Sequence, residues 1–173
     1  MSQWTLNAAA HKAVVGRWWR MLSPRWHHEP LSGAGAARAG GRWNAVGMPA
    51  LYLSADHGTA IAEYMQALIH PGTLAPYDVN AAAILDLTDA AVRESVGIDE
   101  AVLTLPWRRI RDIERRVPAS WALAQDALAA GFEGCVVPST QAKGVNLVLW
   151  RWDRGGAKVT LIDPVGDLKS QSD

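Results

Sequence analysis

Cysteine is nearly missing from this chain: among 173 residues there is one, Cys135, so no internal disulfide can form. It sits in the apolar run GCVVP, where a thiol packs as a small inert hydrophobe rather than acting as a nucleophile. Net charge is missing too, with 17 Lys and Arg against 17 Asp and Glu, which argues against a protein that coats nucleic acid. No run of about 18 uncharged apolar residues occurs, which leaves no candidate for a membrane-spanning helix. The opening MSQWTLNAAAHKAVVG lacks the basic start and long apolar core of a secretory signal, and the chain reads as cytoplasmic. His27 and His28 are adjacent, but no Cys or third His stands at a ligand spacing, so no metal site is expected. Ser139 lacks a GxSxG elbow, which sets aside a serine hydrolase. GAGAARAGG nearly matches GxGxxG, yet no strand–helix pair with a ribose-binding acid follows it, so a Rossmann site is a poor match.

What is present suits one domain with a substantial core, given 49% hydrophobic residues and no internal repeat or low-complexity domain. Residues 1–13 read as a loose lead-in, 14–165 as the folded domain and 166–173 as a polar tail. Val14 to Met21 predicts a first strand, and Ala50 to Ser54 a short buried one. A helix follows, capped by Asp56, with Ile61, Tyr64, Met65 and Leu68 as its apolar stripe and His70-Pro71-Gly72 as its stop. Leu74–Val79 and Ala83–Leu87 read as two further strands, and Asp89 to Val96 as a capped helix closed by Gly97. Ser120 to Ala130 is the clearest amphipathic helix. Strands at Cys135–Val137, Val145–Trp152 and Val159–Ile162 complete the set, with Asp153-Arg154-Gly155-Gly156 predicting a hairpin between the last two. The order does not alternate regularly, so the fold class is α+β, a single domain with mixed or antiparallel sheet and flanking helices.

One region concentrates chemistry. Gly33, Gly35, Gly40 and Gly41 form a permissive lead-in to Arg42, and within about twenty residues come a strand Tyr52 and a helix Glu63. Before Asp56 the only acid is Glu29, while Lys12, Arg17, Arg20, Arg25, Arg38 and Arg42 are basic, a bias that suits either a small anionic ligand or a solvated face. The segment from Trp107 to Pro118 mixes five arginines with two acids and favours a solvated helical face or partner surface over a catalytic element.

The motifs GGRWN at 40–44, ALYLS at 50–54, AIAEY at 60–64, VPS at 137–139 and NLVLW at 146–150 occur in the order found in the RES domain family, which this chain resembles from about Arg17 to Ile162. The resemblance implies a fold similar to ADP-ribosyltransferases, the toxin role of RES–Xre toxin–antitoxin pairs, and destruction of NAD+ at its nicotinamide glycosidic bond. It implies a catalytic set of Arg42, Tyr52, Glu63 and Ser139, with Arg20, Trp43, Asn44 and Asn146 joining Arg42, Tyr52 and Ser139 in binding substrate. NAD+ would be substrate rather than prosthetic group, with inorganic phosphate as a possible co-substrate held by Arg20 or Arg38, or water as acceptor. An Xre-type antitoxin is the implied partner. A homodimer would suit exposed apolar surface in the tryptophan-rich N-terminal third.

The residue types agree with that chemistry. Arg42 can fork onto a phosphate, and Tyr52 can stack on a cationic ring. Nicotinamide leaves as a neutral amine, so it needs no protonating acid, and one carboxylate, Glu63, can suffice by stabilising an oxocarbenium-like transition state. Ser139 can bond the ribose or orient Glu63. Taken singly, Tyr52 reads as core, Glu63 as solvated, Ser139 as a turn residue and Trp43 as packing; their joint order reverses this. Two departures from the family pattern stand out: Ala45-Val46 after the Trp-Asn, and the Arg-rich insert after Trp107. Two other readings stay open, a transferase that attaches ADP-ribose to a macromolecule and a non-catalytic binding module of the same fold.

Overall fold

A long strand carries the fold. In the computed structural model, which describes residues 3–66 and 71–168, β3 runs over Thr73–Asp86 and touches three other strands. Along one edge it pairs antiparallel with β1 (His11–Leu22); along the other it pairs parallel with β4 (Gly134–Pro138) and antiparallel with β6 (Lys158–Leu161). Strand β5 (Val145–Leu149) lies between β4 and β2 (Leu51–Ser54), and β2 meets β1 again through Trp19 and Ser54. The circuit β1-β2-β5-β4-β3-β1 therefore closes into a small mixed barrel, which with its flanking helices is the expected α+β class.

Alternation along the strands separates two cores. Leu51, Leu53, Val136, Leu147 and Leu149 point inside with Tyr77 and Ile84, while Tyr52, Cys135, Val137 and Val148 point out against the helices. The outer core is covered by α3 (Ala90–Val96), α4 (Ala101–Thr104) and α6 (Ala119–Ala129), preceded by α5 (Trp107–Asp112). The Asp89 cap and the left-handed Gly97 that bound α3 are those the sequence predicts.

Five expectations change. Strand β1 begins at His11, and Trp4 of the expected lead-in is buried in the outer core. The two strands expected at 74–87 are one, because four residues of β3 (Ala81 to Ile84) stand opposite three of β1 (Lys12 to Val14); the extra residue makes a bulge rather than a break. The amides the bulge frees at Ala82 and Ala83 donate to the Glu133 carboxylate at 2.8 and 3.1 Å. The glycine-rich lead-in is not open loop, since its alanines form α1 (Ala34–Ala39), ended by Gly40 at φ +69°. The turn at Asp153–Gly156 forms no β5–β6 hairpin; it carries the chain to the free edge of β3. Finally, α2 (His57–Met65) buries Thr59 and Ala60, whereas Ile61 and Met65 are exposed, so its small residues face the barrel; Leu68 and His70 lie outside the described residues.

Candidate active site

The loop bearing Arg42 has almost no regular structure, yet each of its carbonyls is held. The indole N–H of Trp121 donates to Gly41 O at 2.7 Å, the Ser120 hydroxyl to Arg42 O at 2.6 Å, and the indole N–H of Trp150 to Trp43 O at 2.7 Å. Asn44, fully buried, donates through its amide to Ala36, Ala45 and Met48 carbonyls and accepts from the Tyr52 hydroxyl at 2.8 Å. The same phenol oxygen accepts from Trp43 N at 3.1 Å. A side chain at Gly41 would run into Tyr52 and Asn44, so glycine is required there by space.

This clamped loop forms one wall of an open cavity of about 290 Å³, at the lower end of the usual range of about 300–1,000 Å³ for small-ligand pockets. Arg42, Tyr52, Glu63 and Asn146 line it together, on the outer face of the barrel. Glu63, half-buried on α2, is held on both oxygens. Oε1 accepts from the Ser139 hydroxyl at 2.6 Å and Asn146 Nδ2 at 2.7 Å, and Oε2 accepts from Gln66 Nε2 at 2.8 Å. The Asn146 amide is itself oriented by the Ser54 hydroxyl, which donates to Oδ1 at 2.7 Å. Every donor on Glu63 is neutral, so the carboxylate is positioned without a counter-ion in contact. The Arg42 guanidinium is anchored by Leu105 O at 2.5 Å; burial first, and Arg108 second, pull its pKa below the ordinary arginine value, while Glu63 opposes them. Burial raises the Tyr52 phenol well above its ordinary value, which keeps it neutral.

Four of the expected residues are placed differently from their assigned roles. Arg20 borders the cavity, but its guanidinium is buried and donates to Pro30 O at 3.1 Å and Ser32 O at 3.4 Å beside Tyr77, so it ties down the 23–32 segment. Asn44 has its amide wholly engaged and lies behind Tyr52. Trp43 borders the cavity, yet only 3% of it is exposed and it packs in the outer core. Ser139, unlike these and Arg38, takes one of the two roles expected of it and orients Glu63; besides donating to that carboxylate, its oxygen accepts from Gln141 N and Ala142 N, which leaves no lone pair for attack. Arg38 is exposed and does not line the cavity.

Other cavity residues escaped the sequence reading. Gln66 stands three residues after Glu63 on the helix, and Ser54 two after Tyr52 on the strand, so both periodicities carried the signal. Trp107 and Arg108 had none, because the contact joins segments more than sixty residues apart in sequence and is visible only once folded.

The fold and site together define a small α+β barrel with one fixed carboxylate and an anchored arginine in a shared cavity. The chain belongs to the RES domain family, whose model matches residues 17–169. Over 141 residues it is 30% identical to the NAD(+) phosphorylase MbcT of Mycobacterium bovis (strain ATCC BAA-935 / AF2122/97), which spans 74% of this chain and 69% of the relative. The same identity and coverage relate it to NAD(+) phosphorylase MbcT of Mycobacterium tuberculosis (strain ATCC 25618 / H37Rv). Its fold is similar to a chain in the crystal structure of the M. tuberculosis MbcT–MbcA toxin–antitoxin complex, with a TM-score of 0.60 and 24% identity over 89% of this chain and 87% of that one.

Proposed function

We propose that this protein is the toxin of a toxin–antitoxin pair and that it depletes NAD+ by breaking the bond between nicotinamide and ribose, with inorganic phosphate as acceptor. The observation that carries the reading is Glu63: a lone carboxylate, fixed on both oxygens by uncharged donors, in a cavity it shares with Arg42. The names of the curated relatives support phosphate as acceptor.

In this reading a phosphate oxygen bonds to ribose C1′ as the C1′–N bond breaks. The bonding pair passes to the pyridinium nitrogen, so nicotinamide departs neutral and ADP-ribose 1″-phosphate remains. No proton is needed at the leaving group, unlike an O-glycoside. The work left to the protein is electrostatic. Glu63 accepts from the ribose hydroxyls and stabilises positive charge developing at C1′, and its preformed hydrogen bonds spare it reorganisation in the transition state. The Tyr52 hydroxyl is tied back to Asn44 and Trp43, so the ring is what it offers the cationic nicotinamide. Arg42 holds phosphate through the part of its fork that Leu105 leaves available. Phosphorus NMR of a reaction with NAD+ and phosphate tests the acceptor: ADP-ribose 1″-phosphate is expected, and free ADP-ribose unaffected by phosphate would assign water instead. A cognate antitoxin of Xre type, covering the cavity, is part of the same proposal, and co-expression restoring growth and NAD+ together is its expected consequence.

A further inference from the structure

The five arginines of segment 107–118 are not equivalent. Arg111 reaches Asp112 at 2.5 and 2.8 Å and also donates to Ala39 O, and Arg109 and Arg116 share Glu114. Both acids of the segment are thereby engaged. Arg108 makes no ion pair among the described residues, yet it lines the cavity. Its guanidinium lies 4.8 Å from the centre of the Trp107 ring, which also lines the cavity and is itself packed 6.2 Å from Trp121, the residue that clamps Gly41. The Trp107 ring, which the ion-paired Arg111 also approaches at 5.1 Å, therefore holds Arg108 at the rim of the cavity whose deeper wall carries Arg42.

Building on the reading of the site as an NAD+-cleaving one, we propose that Arg108 and Arg42 form a two-arginine subsite for a phosphoryl anion. Two guanidinium groups lining one cavity repel each other, and the depression of the Arg42 pKa by Arg108 is a sign of it. An anion between them converts that repulsion into two charge-assisted hydrogen-bonding contacts. Glu63 does not play that part, since Ser139, Asn146 and Gln66 hold it on α2, it forms no ion pair with either arginine among the described residues, and the acceptor site they leave on Oε2 is the one the ribose uses. The anion is either inorganic phosphate or the pyrophosphate of NAD+; both offer the same oxygens. Arg20 and Arg38 are less suited, the first being tied through Nη1 to two carbonyls and the second lying outside the cavity.

The test is steady-state nicotinamide release by the full chain, varying phosphate at saturating NAD+ and the reverse, for wild type, Arg108→Ala, Arg108→Lys and Arg109→Ala. Loss of one charge-assisted contact predicts a KM about ten- to a hundredfold higher in Arg108→Ala. Arg108→Lys should recover part of it, since lysine keeps the charge but not the fork, and Arg109→Ala should match wild type. A rise in the phosphate KM identifies the co-substrate as the occupant, and a rise in the NAD+ KM identifies the dinucleotide. Neither constant moving in an active, folded Arg108→Ala protein overturns the proposal. Should wild type release no nicotinamide, the functional reading fails separately. Calorimetric titration with inorganic pyrophosphate then decides the subsite: binding weakened at least tenfold in Arg108→Ala upholds it, and equal or absent binding in both proteins rejects it.

Discussion

Asn44 and Glu63 are both polar, both in the region of densest motif, and they do opposite work. Asn44 is sealed in and makes four hydrogen bonds: its amide donates to three carbonyls, of which Ala36 O and Ala45 O also accept backbone amides, and its oxygen accepts from Tyr52. Asn44→Ala should cost about 2–4 kcal/mol, read as a lower urea midpoint, because it takes the donor from Met48 O and the acceptor from the Tyr52 hydroxyl and removes a fully buried side chain. Glu63 stands half-open at the cavity, and the Gln141 and Ala142 amides that Ser139→Ala frees lie in a loop water can reach, so that variant should lower the melting temperature only slightly. The same variant should lower kcat about tenfold with a small effect on the NAD+ KM, as one of three restraints on the carboxylate is lost. Rates and melting curves on the same preparations separate the two behaviours. Four residues named from the sequence, Arg42, Tyr52, Glu63 and Asn146, meet in one cavity. The sequence could not tell a ligand-facing amide from a buried one, as both occur in the same motif and burial is decided by what packs over them. Nor could it tell which of the early basic residues were free: Lys12 and Arg17 face Asp86 and Asp78 across the sheet, and Arg20 is tied to the Pro30 and Ser32 carbonyls.

Among elements, β3 shows how a pattern can be read correctly and divided wrongly. Its inward residues are odd-numbered to Ala81 and even-numbered at Ile84, and a change of parity looks like a gap in a linear chain. The acid that makes it a bulge, Glu133, is some fifty residues away. Glu133→Ala should therefore destabilise the protein by about 2–3 kcal/mol by leaving the Ala82 and Ala83 amides unpaired, measurable by urea unfolding. The C-terminal end of β3 also carries a pH-sensitive tie. Burial alone would raise the Asp86 carboxyl, but Lys12 at 2.5 Å and the Thr88 hydroxyl and amide outweigh it and hold it below its ordinary value of 3.8. A depressed carboxylate stabilises the fold fully above its unfolded value and loses that contribution as pH falls through the lower folded one. Stability should thus decline below about pH 4, and Asp86→Asn should flatten the acid limb of a melting-temperature profile. The helix α2 carries a related lesson. Its Asp56 cap was legible, but its exposed Ile61 and Met65 show that helical spacing alone does not say which face is buried when the inward residues are as small as Thr59 and Ala60.

At the scale of the molecule, six of the nine tryptophans, Trp4, Trp18, Trp43, Trp107, Trp121 and Trp150, are buried. Three of these lie in the N-terminal third, which weakens the argument for an apolar oligomer surface there. Composition revealed their number but not that Trp121 and Trp150 act through their N–H groups, fastening the Arg42 loop to a helix and a strand far along the chain. The barrel and helices therefore act as a frame that keeps an irregular loop rigid, which is how an arginine and a carboxylate from separate segments can be presented in fixed geometry. The central claim is that this geometry serves one reaction through one carboxylate. The most direct measurement is nicotinamide release from NAD+ in the presence of phosphate by purified wild type and Glu63→Gln protein of matched thermal stability. The account predicts a rate lower by about 10²- to 10³-fold in the variant; equal rates in the two proteins would contradict it.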